Sequence, residues 1–194
     1  MNDLTSYRLS DFILFSQASY YRQFELYNQA IWPLHAVAII CILILSYMIW
    51  KRPSYAGRVV ALLFVLSWVW VGYVFLYQWF YQIHVVADWY ALGFVLQAGL
   101  IAWYGLIKNS FALLSESRFR MNIGLGLLIV SVFVYPFIAL ISGRSWMQFE
   151  MFALAPDPTV LATFAILLIS KGSTILYVIP IIWILLSAMT LFVM

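Results

Sequence analysis

An all-α integral membrane helical bundle is predicted by three observations. Of the 194 residues, 66% are hydrophobic and 9% charged, the mean hydropathy is +1.00, and the apolar residues gather into stretches long enough to cross lipid. Soluble domains are roughly half apolar and about a quarter charged, so a water-soluble fold is excluded. A disordered chain and a nucleic-acid binder are excluded by the same composition, since basic residues are few. Cys41 is the only cysteine, which excludes a disulfide-stapled domain.

Crossing the hydrocarbon takes roughly 20 mostly apolar residues, because about 30 Å must be covered at 1.5 Å per residue with every backbone group bonded internally. Residues 30–50, 58–80, 88–107, 121–142 and 174–194 meet that length. A further stretch, 158–170, has about 13 residues and as a helix covers roughly 20 Å. It is a short span or a re-entrant segment. The expected bundle thus has about six transmembrane segments over 30–194, the fifth short or re-entrant, preceded by an interfacial N-terminal helix within 1–29.

In residues 1–29, Asp3, Asp11, Arg22 and Glu25 interrupt any continuous apolar run, so no cleavable signal peptide is expected. Phe12, Ile13, Phe15, Tyr20, Phe24 and Tyr27 mixed with those charges predict an amphipathic helix over 9–27, lying on the membrane or folded over the bundle. Asp11 is placed to cap a short apolar turn, and Trp32-Pro33 marks the start of the first span. Asp88 ahead of Trp89 reads as the cap of the third span. Asp157-Pro158-Thr159 reads as a helix start, with the carboxylate accepting from the first free amides and proline tolerated in the first turn. Lys171-Gly172-Ser173 supplies the stop. Pro136 and Pro180 lie inside spans, where each removes a backbone bond and bends its helix. Ala98, Ala102, Gly124 and Gly126 offer small surfaces for close helix contact.

Lys and Arg in short loops are retained on the cytoplasmic side. Lys51, Arg52, Arg58, Lys108, Arg118, Arg120 and Lys171 fall on one face, against Arg8, Arg22 and Arg144 on the other. Both termini are therefore expected outside, which in a bacterial inner membrane is the periplasm. Asp3, Asp11, Glu25, Asp88, Glu150 and Asp157 then lie outside, with Glu116 alone inside.

Ionisable residues deep in lipid are costly and usually functional. The expected midplane holds Cys41, Ser67, Gln97, Ser131 and Thr163 and no charged residue, which argues against a mid-membrane carboxylate. Gln97 is the one sizeable polar side chain there, and its amide needs a partner on a neighbouring helix or in a wet cavity. Lys171 either snorkels to the headgroups or, if 158–170 is re-entrant, lines a cavity. The outer face gathers His84 and Asp88, four residues apart, with His35, Glu25, Glu150 and Asp157 as candidates for a polar vestibule that binds a small solute or cation. A simpler account has acids collecting outside because bases are retained inside, with Asp88 and Asp157 capping helices and the rest facing water. No spacing diagnostic of a metal site, nucleophile elbow, phosphate loop or paired intramembrane acids is present, so neither a resident cofactor nor an enzyme is predicted.

The run Asp11-Phe12-Ile13-Leu14-Phe15-Ser16, then Tyr20-Tyr21-Arg22, Phe24-Glu25-Leu26-Tyr27-Asn28 and Trp32-Pro33-Leu34, resembles the opening of a bacterial family of small polytopic inner-membrane proteins. That family is known only as a domain of unknown function and is sometimes labelled permease. Tyr135-Pro136 and Ala155-Pro156-Asp157-Pro158-Thr159 resemble its later segments. Asp157 stands where the family pattern often carries a cysteine. The resemblance implies fold and location without an activity.

Three functions are open to such a chain. The first is a small permease-type protein with an outward-facing vestibule. The second is an accessory or assembly subunit of a larger membrane complex, whose partner would be another membrane protein or a second copy. The third is a haem-carrying anchor ligated by His35 and His84 near the outer ends of two neighbouring helices. In each the lipid bilayer is the constant partner.

Overall fold

The computed structural model describes residues 16–111, 117–170 and 172–193. Among these residues every regular element is helical, and seven helices follow one another along the chain. They are α1 (Gln17–Ala30) and α2 (Leu34–Lys51), then α3 (Ala56–Gln82), α4 (Ala87–Ile107) and α5 (Arg118–Ile141). After these come α6 (Pro156–Ile169) and α7 (Thr174–Val193). The five helices α2, α3, α4, α5 and α7 are long and apolar enough to cross a membrane. Their bounds fall within a few residues of the apolar runs that predict them, because a continuous 20-residue apolar stretch leaves helix as the one conformation that satisfies its own backbone.

The N-terminal helix starts at Gln17, capped by the Ser16 hydroxyl that accepts from the Ser19 amide, and continues to Ala30. The predicted cap at Asp11 and the first part of the 9–27 helix lie outside the described residues. Of the two positions expected, folded over the bundle is the one its contacts match: α1 packs along the C-terminal part of α3. Tyr20 meets Phe80, and Phe24 and Tyr27 meet Phe75. Tyr27 is fully buried; its hydroxyl donates to the Leu154 carbonyl at 2.8 Å and accepts from Trp70 Nε1 at 2.9 Å. This one side chain joins α1, α3 and the segment before α6. Tyr27→Phe keeps the ring and strands both partners, so it should lower the unfolding free energy by about 1–3 kcal/mol in a denaturation series in detergent.

The short helix α6 is the centre of the bundle. Pro156, Pro158, Thr159, Val160, Ala162, Thr163, Ala165, Ile166, Leu167 and Ile169 are all buried, and only the stripe Asp157, Leu161, Phe164 and Leu168 is half-buried. A helix enclosed by protein need not match the bilayer thickness, and this resolves how 14 residues sit in a bundle of longer ones. Its closest neighbour, α5, runs antiparallel to it: Ser131 donates to the Pro158 carbonyl, and Gly124 lies against Ala165 and Ile169 one end further along. Trp68 Nε1 on α3 donates to Thr163 Oγ1 at 2.9 Å. On α4, the fully buried Gln97 amide donates to the Leu176 carbonyl of α7 at 2.9 Å. That bond ties two helices and leaves Gln97 Oε1 without a hydrogen-bond partner.

Three of the long helices widen part-way from α to π geometry, at Val71–Trp79, Ala102–Ile107 and Val130–Val134. Pro136 follows the third of these in a single 3₁₀ turn, so the break expected of a proline is spread over the residues before it. Pro180 sits near the start of the α-helical part of α7, where a missing amide costs little.

Candidate functional site

Asp157 was expected to cap α6. Instead the helix begins two residues earlier, at Pro156, with Ala155 as the cap residue and no side-chain cap bond. The carboxylate turns sideways into the bundle. Its Oδ1 accepts from Trp183 Nε1 at 2.6 Å, and its Oδ2 accepts from the Tyr135 hydroxyl at 3.1 Å and the Ser187 hydroxyl at 2.9 Å. One side chain of α6 thus clamps α5 and α7. With three donors, the carboxylate is close to filled.

The chain between α5 and α6 positions the second acid. Residues 149–155 run extended or in turns into the bundle, with Phe152 against Phe64 and the Ala153 amide donating to Thr159 Oγ1. Ala153 takes a left-handed φ of 72°, uncommon for a residue with a Cβ. Glu150, in this stretch, has a side chain only 8% exposed, and its Oε1 lies 3.7 Å from Arg144 Nη1. That is an ion pair beyond hydrogen-bonding reach. Glu150 Oε2, Arg144 Nε and Arg144 Nη1 are all buried without a hydrogen-bond partner. The Arg144 guanidinium packs over the Tyr21 ring at 4.1 Å. Arg144 also lines two clefts shared with Tyr21 and Ala18, of about 670 Å³ and about 290 Å³.

Burial and the neighbouring Asp157 charge push the Glu150 carboxyl up to about 8, against the opposing pull of Arg144. Burial, with Glu150 and Asp157 nearby, also raises the Tyr20 hydroxyl well above its ordinary value. An acid whose folded value lies above its unfolded one binds more protons in the folded state, so stability is highest at low pH and falls as pH rises. The window here runs from about 4.5 to about 8. The unfolding midpoint should drop across that window by an amount worth a few kcal/mol, and Glu150→Gln should flatten this slope in a pH series of thermal melts.

The other predicted vestibule residues are dispersed. Glu25 sits near the surface, paired with Arg22 Nη1 at 2.6 Å and reached by Gln148 Nε2 at 3.4 Å. Asp88, expected at the cap of the third span, lies inside the first turn of α4, where Oδ1 accepts from the Trp89 amide at 2.8 Å. The cap residue is Val86. His84 contacts the Tyr90 hydroxyl at 3.3 Å, and burial lowers its imidazole below the usual value. His35 bonds Asn28 Oδ1 through Nε2 at 3.2 Å. The Asn28 amide nitrogen donates to the Met147 and Phe149 carbonyls, so Oδ1 must face His35 and accept, which fixes the proton on Nε2. His35 thus lies at the α1–α2 corner, beside an apolar cleft of about 760 Å³ with Trp32, Pro136 and Phe149. Lys171 lies outside the described residues.

Two of the six predicted vestibule acids and imidazoles, Glu150 and Asp157, therefore meet in one buried cluster. The residues that complete it were missed: Arg144, Tyr20, Tyr21, Tyr135, Trp183 and Ser187. Arg144 carried a signal, as a cation on the face otherwise rich in acids. No group of three or more His, Cys, Asp or Glu among the described residues is arranged to hold a metal ion.

No curated protein and no solved structure matches the chain. A family model does, over residues 17–194, from the start of α1 through α7. The chain belongs to that family, a family of unknown function, DUF6064.

Proposed function

We propose that the protein is a small permease-type protein of a bacterial inner membrane, with both termini periplasmic, and that the Arg144–Glu150 cluster is its outward-facing vestibule for a small solute or cation. The observation that carries this reading is a buried carboxylate with an unfilled oxygen, set beside a cation that lines open clefts, at the break ahead of a short enclosed helix. Non-helical chain of this kind builds binding sites in transporters, because irregular backbone inside a bundle is tolerated where it lines a cavity. The outer location follows from the cations Lys51, Arg52, Lys108, Arg118 and Arg120 at the opposite end.

Reconstituted liposomes should accumulate a small polar solute in a saturable manner, and Glu150→Ala should abolish it. Absence of flux across a broad panel, together with co-purification of a larger membrane partner in mild detergent, would replace this reading with an accessory subunit. A Soret band in the optical spectrum, lost on changing His35 or His84, would replace it with the haem anchor. Membrane-impermeant amine labelling of intact spheroplasts should spare Lys51 and Lys108; their modification would invert the orientation.

A further inference from the structure

We propose that Arg144 and Glu150 form a receptor for a small zwitterion, a solute carrying one carboxylate and one ammonium a few bonds apart, with Arg144 taking the carboxylate and Glu150 the ammonium. The inference rests on the vestibule reading and narrows its solute class. It starts from unmet bonding capacity. At 3.7 Å the two groups attract but do not hydrogen-bond, and donors on one and an acceptor on the other stay buried and unfilled. Charged groups held away from water in this condition are costly unless something completes them.

The signs select the ligand. A simple anion would satisfy Arg144 but face the carboxylates of Glu150 and Asp157. A simple cation would satisfy Glu150 but meet the Arg144 guanidinium at close range. A molecule with both charges satisfies both partners at once. Asp157 does not compete for the ammonium, since Trp183, Tyr135 and Ser187 already fill it. Its charge adds a negative bias on the Glu150 side, as the raised Glu150 carboxyl reflects. Arg144, its guanidinium over Tyr21, is among the residues that line both clefts and Glu150 is not, so a solute entering from the clefts must move the guanidinium to reach the carboxylate.

The full-length chain in lipid nanodiscs, titrated calorimetrically with glycine, β-alanine and γ-aminobutyrate, tests this, with acetate and methylamine as singly charged controls. At least one zwitterion should bind saturably and about tenfold or more tighter than either control, since two charge-assisted contacts replace one. Arg144→Gln and Glu150→Gln should each weaken that binding by about tenfold or more, Arg144→Lys less, and Asp88→Asn not at all. Affinity should rise with pH from about 6 to about 8.5 as Glu150 ionises among Arg144, Asp157, Tyr20 and Tyr135. Controls that bind as tightly, or no zwitterion binding by the unmodified chain, overturn the proposal without reference to any variant. Zwitterion binding without flux in the liposome assay upholds the receptor and removes the permease. Flux of a singly charged solute with no zwitterion binding does the reverse.

Discussion

Replacing Asp157 by alanine should lower the thermal unfolding midpoint of the solubilised protein by roughly 5–15 °C, corresponding to about 2–5 kcal/mol. The carboxylate receives three hydrogen bonds from two different helices. Its removal leaves an indole N–H and two hydroxyls without their acceptor inside the bundle. Bonds between transmembrane helices average well under 2 kcal/mol each, so the size of the effect comes from losing three together. Asp157→Asn keeps one carbonyl oxygen and should recover about half of the loss. A double-mutant cycle with Trp183→Phe should show coupling of about 1 kcal/mol or more, and additivity would mean that the α6–α7 contact does not depend on this bond.

Gly124→Val should destabilise by about 2–3 kcal/mol or abolish recovery of folded protein, whereas Gly126→Val, on the same helix, should change stability by less than about 0.5 kcal/mol. A Cβ at Gly124 would lie 2.7 Å from Ile169 Cγ1 and 2.8 Å from the Ala165 carbonyl oxygen. The Ile169 side chain can rotate, but the carbonyl belongs to the backbone of the enclosed helix and cannot yield without moving α6. At Gly126 a Cβ meets nothing within 4 Å. Equal loss at both positions, measured by fluorescence-detected gel filtration and thermal melts, would mean that α5 does not approach α6 through its glycine face.

The contrast between these glycines shows where sequence reading stops. As Gly124-Leu125-Gly126 they look alike, and only tertiary packing decides which one touches a neighbour. The five long helices were legible because a continuous apolar run admits one backbone solution in lipid, and the bounds of α3 and α4 moved by at most two residues. The position of α1 stayed open in the sequence because aromatic residues mixed with charges suit a membrane surface and a protein groove equally well. Asp157 was misread for a similar reason: a carboxylate beside proline at a helix start is a sound cap, and nothing local reveals Tyr135, Trp183 and Ser187 arriving from 22 to 30 residues away. The burial of Glu150 was also beyond the sequence, because residues 149–155 carry non-helical chain into the interior. The π segments have no counterpart in any hydrophobic period that the sequence displays.

The enclosure of α6 bears on biogenesis. A helix of 14 residues is about 21 Å long, too short for the translocon to release it sideways as an ordinary span. Its flanks, α5 and α7, can partition into lipid on their own merits, and α6 finds shelter only where several partners already stand. It should therefore settle after the chain is made, late and together with the C-terminal helix, so that truncated chains ending before Thr174 and released from the ribosome hold it accessible to protease.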